Sequence, residues 1–164
     1  MLIYDIVEEP KDDLYHRLLD YGLQFCPLFL LVRQPYNRPE PGPASEEILR
    51  ELGAFFLKSE QADEWPGTRV YKNKAEICWF EYNPSSANIL KNATSHLYQW
   101  EPPDFPDDLC LMRNEQSPWL VTITEERDSY LELELAEFEA LKLDFPELAE
   151  ICAAPRPRND SEDS

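Results

Sequence analysis

The sequence predicts a single α+β domain with a mainly antiparallel sheet, helices packed on one face and a C-terminal β-meander. Three strand-like segments, 108–113, 119–124 and 129–135, are joined by connections of about four residues, which is hairpin length. Residues 48–56 carry apolar side chains at helical spacing. The length of 164 residues suits one domain that buries a full core without a metal or a disulfide.

A strand, a helix and a second strand are predicted at the start of the chain. Residues 2–7 are β-prone, and Asp12 and Asp13 then open a helical pattern with negative charge in its first turn. Gly22 is the expected end of this helix. Residues 25–33 form an apolar run with few polar breaks, which indicates a buried strand.

A proline-rich connection and a second helix follow. Residues 34–44 contain four prolines without PxxP spacing, which favours a surface loop over a polyproline ligand. Ser45 is the expected N-cap of an amphipathic helix whose apolar stripe runs from Ile48 to Phe56. The sequence Trp65-Pro66-Gly67-Thr68 has proline and glycine where a type II turn needs them.

The middle of the chain predicts a central strand and short connecting elements. Residues 75–82 carry apolar side chains on both faces, which is typical of a strand buried on both sides. A short helix is expected over 86–92, followed by an aromatic segment at 95–100.

The third strand of the meander leads into the C-terminal end of the domain. There Leu131, Leu133 and Leu135 alternate with Tyr130, Glu132 and Glu134, so we expect an exposed acidic face on this strand. A helix is expected over 136–143. We assign residues 1–154 to the domain and 155–164 to a polar, frayed tail.

The charge balance excludes several classes of partner. Acidic residues outnumber basic ones 33 to 15, and the net charge is -18. This charge disfavours general nucleic-acid binding and docking on anionic membranes. The N-terminus lacks a signal-peptide pattern, and the longest apolar run, 25–32, is too short to span a membrane. We therefore expect a cytoplasmic protein.

No motif for catalysis, for a metal or for a cofactor is found. The four cysteines form no CxxC pair, which favours buried free thiols over a metal site. The four glycines form no phosphate-binding loop, and the acidic turn at 125–128 does not match an EF-hand. We expect a protein without catalytic residues, cofactor or metal. An enzyme with an unrecognised site, for example Cys110 paired with His96, stays open as an alternative.

The position of the charge is the most informative feature. Residues 101–150 hold 15 acidic and 3 basic side chains, whereas the other 114 residues hold 18 and 12. This excess predicts either a solubilising surface or a docking face for a basic protein. Aromatic side chains near turns or on a polar face are candidate anchors if they are exposed, and the alternative is that they pack in the core or at an edge of the sheet. The candidate partner-binding residues are Trp65, Tyr98, Trp100, Glu125, Glu126, Asp128, Tyr130, Glu132 and Glu134.

Residues 65–135 contain a series of motifs rich in aromatic residues and proline. They are Trp65-Pro66-Gly67-Thr68, Leu97-Tyr98-Gln99-Trp100, Pro102, Pro103, Pro106, Asp107-Asp108-Leu109-Cys110-Leu111, Ser117-Pro118-Trp119-Leu120-Val121 and Tyr130-Leu131-Glu132-Leu133. Through these motifs, this part of the chain resembles a small bacterial family of immunity-type proteins that are encoded beside polymorphic toxins. The resemblance implies a non-catalytic protein that binds and neutralises a cognate toxin domain. A regulatory adaptor that uses the same surface is the other binding role considered.

Overall fold

A computed structural model describes residues 1–36 and 38–158, which contain ten strands and five α-helices. The strands are β1 (Leu2–Ile6), β2 (Leu28–Arg33), β3 (Phe56–Ala62), β4 (Glu64–Trp65), β5 (Thr68–Arg69), β6 (Ala75–Glu81), β7 (Asp107–Asn114), β8 (Ser117–Ile123), β9 (Asp128–Leu133) and β10 (Arg156–Pro157). The helices are α1 (Asp13–Gly22), α2 (Pro43–Glu51), α3 (Pro84–Ala93), α4 (Leu135–Asp144) and α5 (Pro146–Glu150).

Eight of these strands form one antiparallel sheet in the order β10-β1-β9-β8-β7-β2-β6-β3. Strands β7, β8 and β9 are consecutive neighbours, so the predicted C-terminal meander is confirmed. The first strand pairs with the last strand of the meander, and Leu2 lies opposite Leu133. The predicted single α+β domain is therefore confirmed.

Each face of the sheet is covered by a different layer. The helix face packs against the helices through buried side chains such as Leu18, Leu90 and Leu141. The opposite face, called the hairpin face below, packs against the small β4–β5 hairpin through Trp65. A strand in the middle of this sheet is therefore buried on both sides.

Two glycines allow the covering layers to approach the sheet closely. Gly67 has φ +83° in the turn between β4 and β5, as the predicted type II turn requires. A Cβ atom on Gly67 would lie 2.9 Å from side-chain carbons of both Val121 and Ile123 on β8. Gly22, which is the last residue of α1, would bring a Cβ atom to 2.7 Å from Leu111 on β7.

The predicted second helix is shorter than its apolar pattern and begins earlier. Gly42 is the N-cap and Pro43 occupies the first turn, so the prediction of Ser45 as N-cap is wrong. The helix α2 ends at Glu51 and continues as a 3₁₀ turn over Leu52–Phe55. Phe56 begins the edge strand β3, because the chain pairs there with β6 instead of extending the helix.

Two short segments also depart from the predictions. The third helix begins at Pro84, before residue 86, and Asn83 and Ser86 form a capping box at its start. The strand β10 lies within the segment that was expected to be frayed. Arg156 of β10 pairs with Ile3 of β1 and donates from Nε to Asp5 Oδ2 at 2.7 Å. The rest of the predicted tail, 159–164, lies outside the described residues.

Candidate protein-binding surface

The four aromatic side chains considered as exposed anchors are buried, so the core-packing alternative is correct for them. They are Trp65, Tyr98, Trp100 and Tyr130, none of them more than 7% exposed. Trp100 Nε1 donates to the Tyr15 hydroxyl at 3.1 Å, and Trp65 Nε1 donates to Asp108 Oδ2 at 3.0 Å. These side chains therefore hold the helices and the hairpin to the sheet.

Glu132 is also buried, at 3% exposure, although it was predicted on an exposed acidic face. The predicted alternation is correct up to Leu133, since Leu131 and Leu133 lie on the helix face and Tyr130 lies on the hairpin face. It is wrong for Leu135, which begins α4 and is 59% exposed, because the strand ends at Leu133. The error concerns the second face, which is covered. Arg158 Nη1 lies 3.6 Å from Glu132 Oε1 and offsets part of its charge.

The remaining predicted acidic residues do not share one face. Glu125 and Glu126 are exposed on a 3₁₀ turn before β9, and Asp128 is half-buried at the start of that strand. Glu134 is exposed beyond the other end of β9, where it caps the N-terminus of α4. Six residue steps of extended chain separate Asp128 from Glu134 by about 20 Å.

A different acidic surface is formed by α4 and α5. The exposed side chains that define this acidic helical surface are Leu135, Ala136, Glu139, Ala140, Leu143, Asp144, Glu147 and Glu150. Leu143 is 85% exposed and Leu135 is 59% exposed. Residues 134–150 hold six acidic side chains and one basic side chain, Lys142.

The position of Leu143 follows from the helical repeat. Leu141 is buried in the core, and Phe138 stacks on Tyr4 with ring centroids 4.2 Å apart, which fixes the inner side of α4. Residues three and four apart share a side of a helix, so Ala136, Ala140 and Leu143 form one outward stripe. The apolar stripe is therefore solvent-exposed and lies within an acidic rim.

The cations beside this surface are engaged by carboxylates. Lys142 Nζ lies 2.9 Å from Glu139 Oε1, and Arg17 Nη2 lies 3.2 Å from Glu147 Oε2. The Arg17 guanidinium also lies 4.3 Å from the centre of the Phe145 ring. The backbone N–H of Glu147 and then Arg17 hold the pKa of Glu147 below its usual value. The surface thus keeps a net negative charge in solution.

A shallow cavity of about 280 Å³ lies at the junction of α1 with α4 and α5. Its lining residues are Arg17, Asp20, Tyr21, Gln24, Asp144 and Phe145. Burial and the neighbouring Asp144 raise the pKa of Tyr21, whose hydroxyl donates to Asp144 Oδ2 at 3.5 Å. An apolar or cationic side chain of a partner fits the chemistry of this cavity.

A second group of charged residues lies at the start of β7. Arg38 donates to Asp107 from Nε at 2.9 Å and from Nη2 at 2.7 Å. Next to it, Asp108 has φ 54° and accepts from Trp65 Nε1 and, at 2.9 Å, from the backbone N–H of Thr124. Burial, followed by the charge of Asp107, raises the pKa of Asp108 to about 6.

Asp108 also borders a cavity of about 430 Å³ together with Glu125 and Glu126. Both of its carboxylate oxygens already accept hydrogen bonds from the protein. These bonds attach the hairpin and the β8–β9 turn to the start of β7. A positioning role for Asp108 therefore accounts for its burial and its backbone conformation.

Cys110 adjoins this group, since its Sγ donates to the Asp108 carbonyl at 3.4 Å. His16 is exposed on α1, and His96 is half-exposed with Nε2 3.9 Å from Asp12 Oδ1. All four cysteines are free, and only Cys152 is not fully buried. Within 1–36 and 38–158, no group of three or more His, Cys, Asp or Glu side chains is arranged to hold a metal ion. In the same ranges, no helix is both long and apolar enough to cross a membrane.

Sequence reasoning did not select Leu143, although a signal was present. The helix α4 has apolar residues on both sides, and one such helix side must be exposed when the other is packed on a sheet.

Comparison of the chain with family models, curated proteins and solved structures gives no significant match.

Proposed function

We propose that this protein is a non-catalytic binding protein that holds a basic protein partner on its acidic helical surface. The partner class that fits the sequence resemblance is a toxin domain, which this protein would neutralise as a cytoplasmic immunity-type inhibitor. The observation that carries the proposal is Leu143, an 85% exposed leucine within residues 134–150, which hold six acidic side chains and one basic side chain. It takes the anchor role for which the sequence had suggested the buried aromatic residues.

The chemistry of the surface supports a basic and partly apolar partner. Full burial of one leucine side chain contributes about 2 kcal/mol, and a few buried side chains carry most of the binding energy of an interface. Glu139, Asp144, Glu147 and Glu150 would attract a cationic partner at long range. Binding should therefore combine an apolar anchor, which salt does not weaken, with a charged rim that salt does weaken.

The test begins with affinity capture from the native host at low salt, followed by purification of the captured protein and direct measurement of its affinity. Leu143→Ser should weaken this affinity by about tenfold or more, since it removes an apolar anchor without changing charge. Leu57→Ser is the matched control, because Leu57 is a 54% exposed leucine on the edge strand β3. Equal affinities for the Leu143 variant and the wild type would contradict the proposal.

The charged rim has its own test with the same purified partner. Glu150→Lys should lower the association rate and flatten its dependence on salt. Glu51→Lys, on the exposed side of α2, is the matched control and should leave the rate nearly unchanged. A partner whose association rate is the same at 50 mM and 300 mM salt would contradict the role of the acidic rim.

The enzyme alternative has one observation in its favour. Asp108 combines positive φ, burial and a raised pKa beside a cavity, a combination found at active sites. For this alternative, a substrate would have to compete with Trp65 Nε1 and the Thr124 N–H for its oxygens. If Asp108→Asn kept its fold and its partner affinity but lost a measured turnover, the enzyme alternative would gain support.

A further inference from the structure

The pairing of the basic side chains is uneven across the molecule. All 15 Lys and Arg residues lie in the described ranges, and 11 of them form an ion pair within 4 Å. The four that pair with no described carboxylate are Lys11, Arg69, Lys72 and Lys74. Three of these four lie within six residues of sequence. In a chain with more than twice as many acidic as basic residues, such a gap in neutralisation is unexpected.

Arg69 and Lys72 face a common cavity of about 500 Å³. The exposed tyrosines Tyr36 and Tyr71 line the same cavity, and Tyr71 is 87% exposed. Its one acidic lining residue is Glu125. We call this site the basic cavity. Its volume falls in the usual range for small-molecule sites, about 300–1,000 Å³.

The walls of the basic cavity are held by the protein. Val70 follows Arg69, packs on the hairpin face and donates its backbone N–H to the Asp63 carbonyl at 2.8 Å. On the opposite wall, Arg38 is fixed on the buried Asp107. The cation side chains therefore extend from an ordered frame, which lowers the entropy cost of binding.

Glu64 is the acidic residue nearest to Arg69 in the hairpin register, because the two residues lie opposite each other on β4 and β5. They nevertheless form no ion pair within 4 Å among the described contacts. The guanidinium of Arg69 is thus left available, together with the ammonium of Lys72, for an anion in the cavity.

We propose that the basic cavity binds a nucleoside phosphate. Phosphate oxygens match a guanidinium and an ammonium, and a flat base matches the faces of exposed tyrosine rings. The concave shape and the two cations favour a compact anion over a long one. A polyanion would extend beyond the cavity onto the negatively charged surface that dominates this molecule. This inference does not rest on the proposed protein partner, which binds a different surface.

The experiment titrates the purified full chain with ATP, inorganic triphosphate and adenosine by calorimetry at low salt. ATP should bind more tightly than triphosphate, and adenosine should bind least, since the charge supplies most of the affinity. The double variant Arg69→Ala/Lys72→Ala should weaken ATP binding by about tenfold or more. Tyr71→Ala should weaken ATP binding by about threefold to tenfold and leave triphosphate binding unchanged.

Lys11→Ala is the matched control, because Lys11 is the other exposed basic residue without an ion pair and lies outside the cavity. It should bind ATP as the wild type does. Equal weakening by Lys11→Ala would indicate nonspecific charge attraction and overturn the proposal. Absence of ATP binding at millimolar concentration would overturn it too, as would tighter binding of a hexaglutamate peptide than of ATP. Equal circular dichroism spectra and melting temperatures establish that the variants are folded.

Discussion

Replacing Asp108 with asparagine tests how the hairpin and the β8–β9 turn are attached to the sheet. Asp108 is 3% exposed and accepts hydrogen bonds on both oxygens, from Trp65 and from Thr124. Asparagine tolerates the positive φ of this position, which is 54°. It has one accepting oxygen instead of two, so one donor loses its partner at a cost of about 1–3 kcal/mol.

The charge of Asp108 makes an opposite contribution that depends on pH. Burial and the neighbouring Asp107 raise the pKa of Asp108 from 3.8 to about 6 in the folded state. The folded protein therefore keeps this proton in a pH range where the unfolded chain has lost it. The stabilisation that comes from protonated Asp108 is complete below pH 4 and is lost as the pH rises through 6. Its full size is about 3 kcal/mol.

The expected result is two stability curves that lie close together at low pH, where protonated Asp108 also has one oxygen free to accept, and that separate as the pH rises, with the asparagine variant the more stable. The free energy of unfolding of the wild type should fall by most of this amount, about 3 kcal/mol, between pH 4 and pH 7. The asparagine variant should lack this dependence on pH. Urea unfolding followed by tryptophan fluorescence at pH 4.5, 6 and 8 measures both curves. If the two curves ran parallel over this range, the assignment of the buried charge to Asp108 would be refuted.

Two further predictions concern the turn of the hairpin and the free thiols. Gly67→Ala should lower the free energy of unfolding by about 2 kcal/mol, because Gly67 has φ +83° and the added Cβ lies 2.9 Å from side chains of β8. Gly53→Ala is the control, since a Cβ there has no neighbour within 4 Å, and it should be nearly neutral in the same urea assay. Burial raises the pKa of Cys26 and Cys78 to about 12, so a disulfide reagent at pH 8 should react slowly with the native protein. In urea the same reagent should react readily with all four thiols. Cys152, with a pKa near 11, should react first, and rapid native reaction of Cys26 would contradict this order.

The meander was predictable because its signals are local. The connections between β7, β8 and β9 are short, and each strand carries its own alternation. The edge strand β3 was not predicted, since all but one of its residues are exposed and its sequence carries no apolar alternation. Its strand character comes from pairing with β6, a contact between distant segments.

The candidate site was harder to predict, because exposure depends on what covers each face. The sequence correctly predicts that Tyr130 and Glu132 lie on the side of the strand opposite Leu131 and Leu133, but it does not show that this side is buried, with Arg158 beside Glu132. The same limit applies to Leu143, whose exposure depends on which side of α4 packs on the core. Charge was easier to predict from the sequence than burial, since the excess of acidic residues in 101–150 does produce an exposed acidic surface, although on α4 and α5.

The two proposed surfaces should behave independently. The acidic helical surface lies on the helix face, whereas the basic cavity adjoins the hairpin on the opposite face. The sheet and a helix layer lie between them, and packed layers are about 10 Å apart, which exceeds the Debye length of about 8 Å at physiological salt. Free-energy changes at such distant sites usually add. The combination of Leu143→Ser with Arg69→Ala/Lys72→Ala should therefore show the full loss of partner affinity and the full loss of ATP affinity. A change in ATP affinity caused by Leu143→Ser alone would mean that the two surfaces communicate through the sheet.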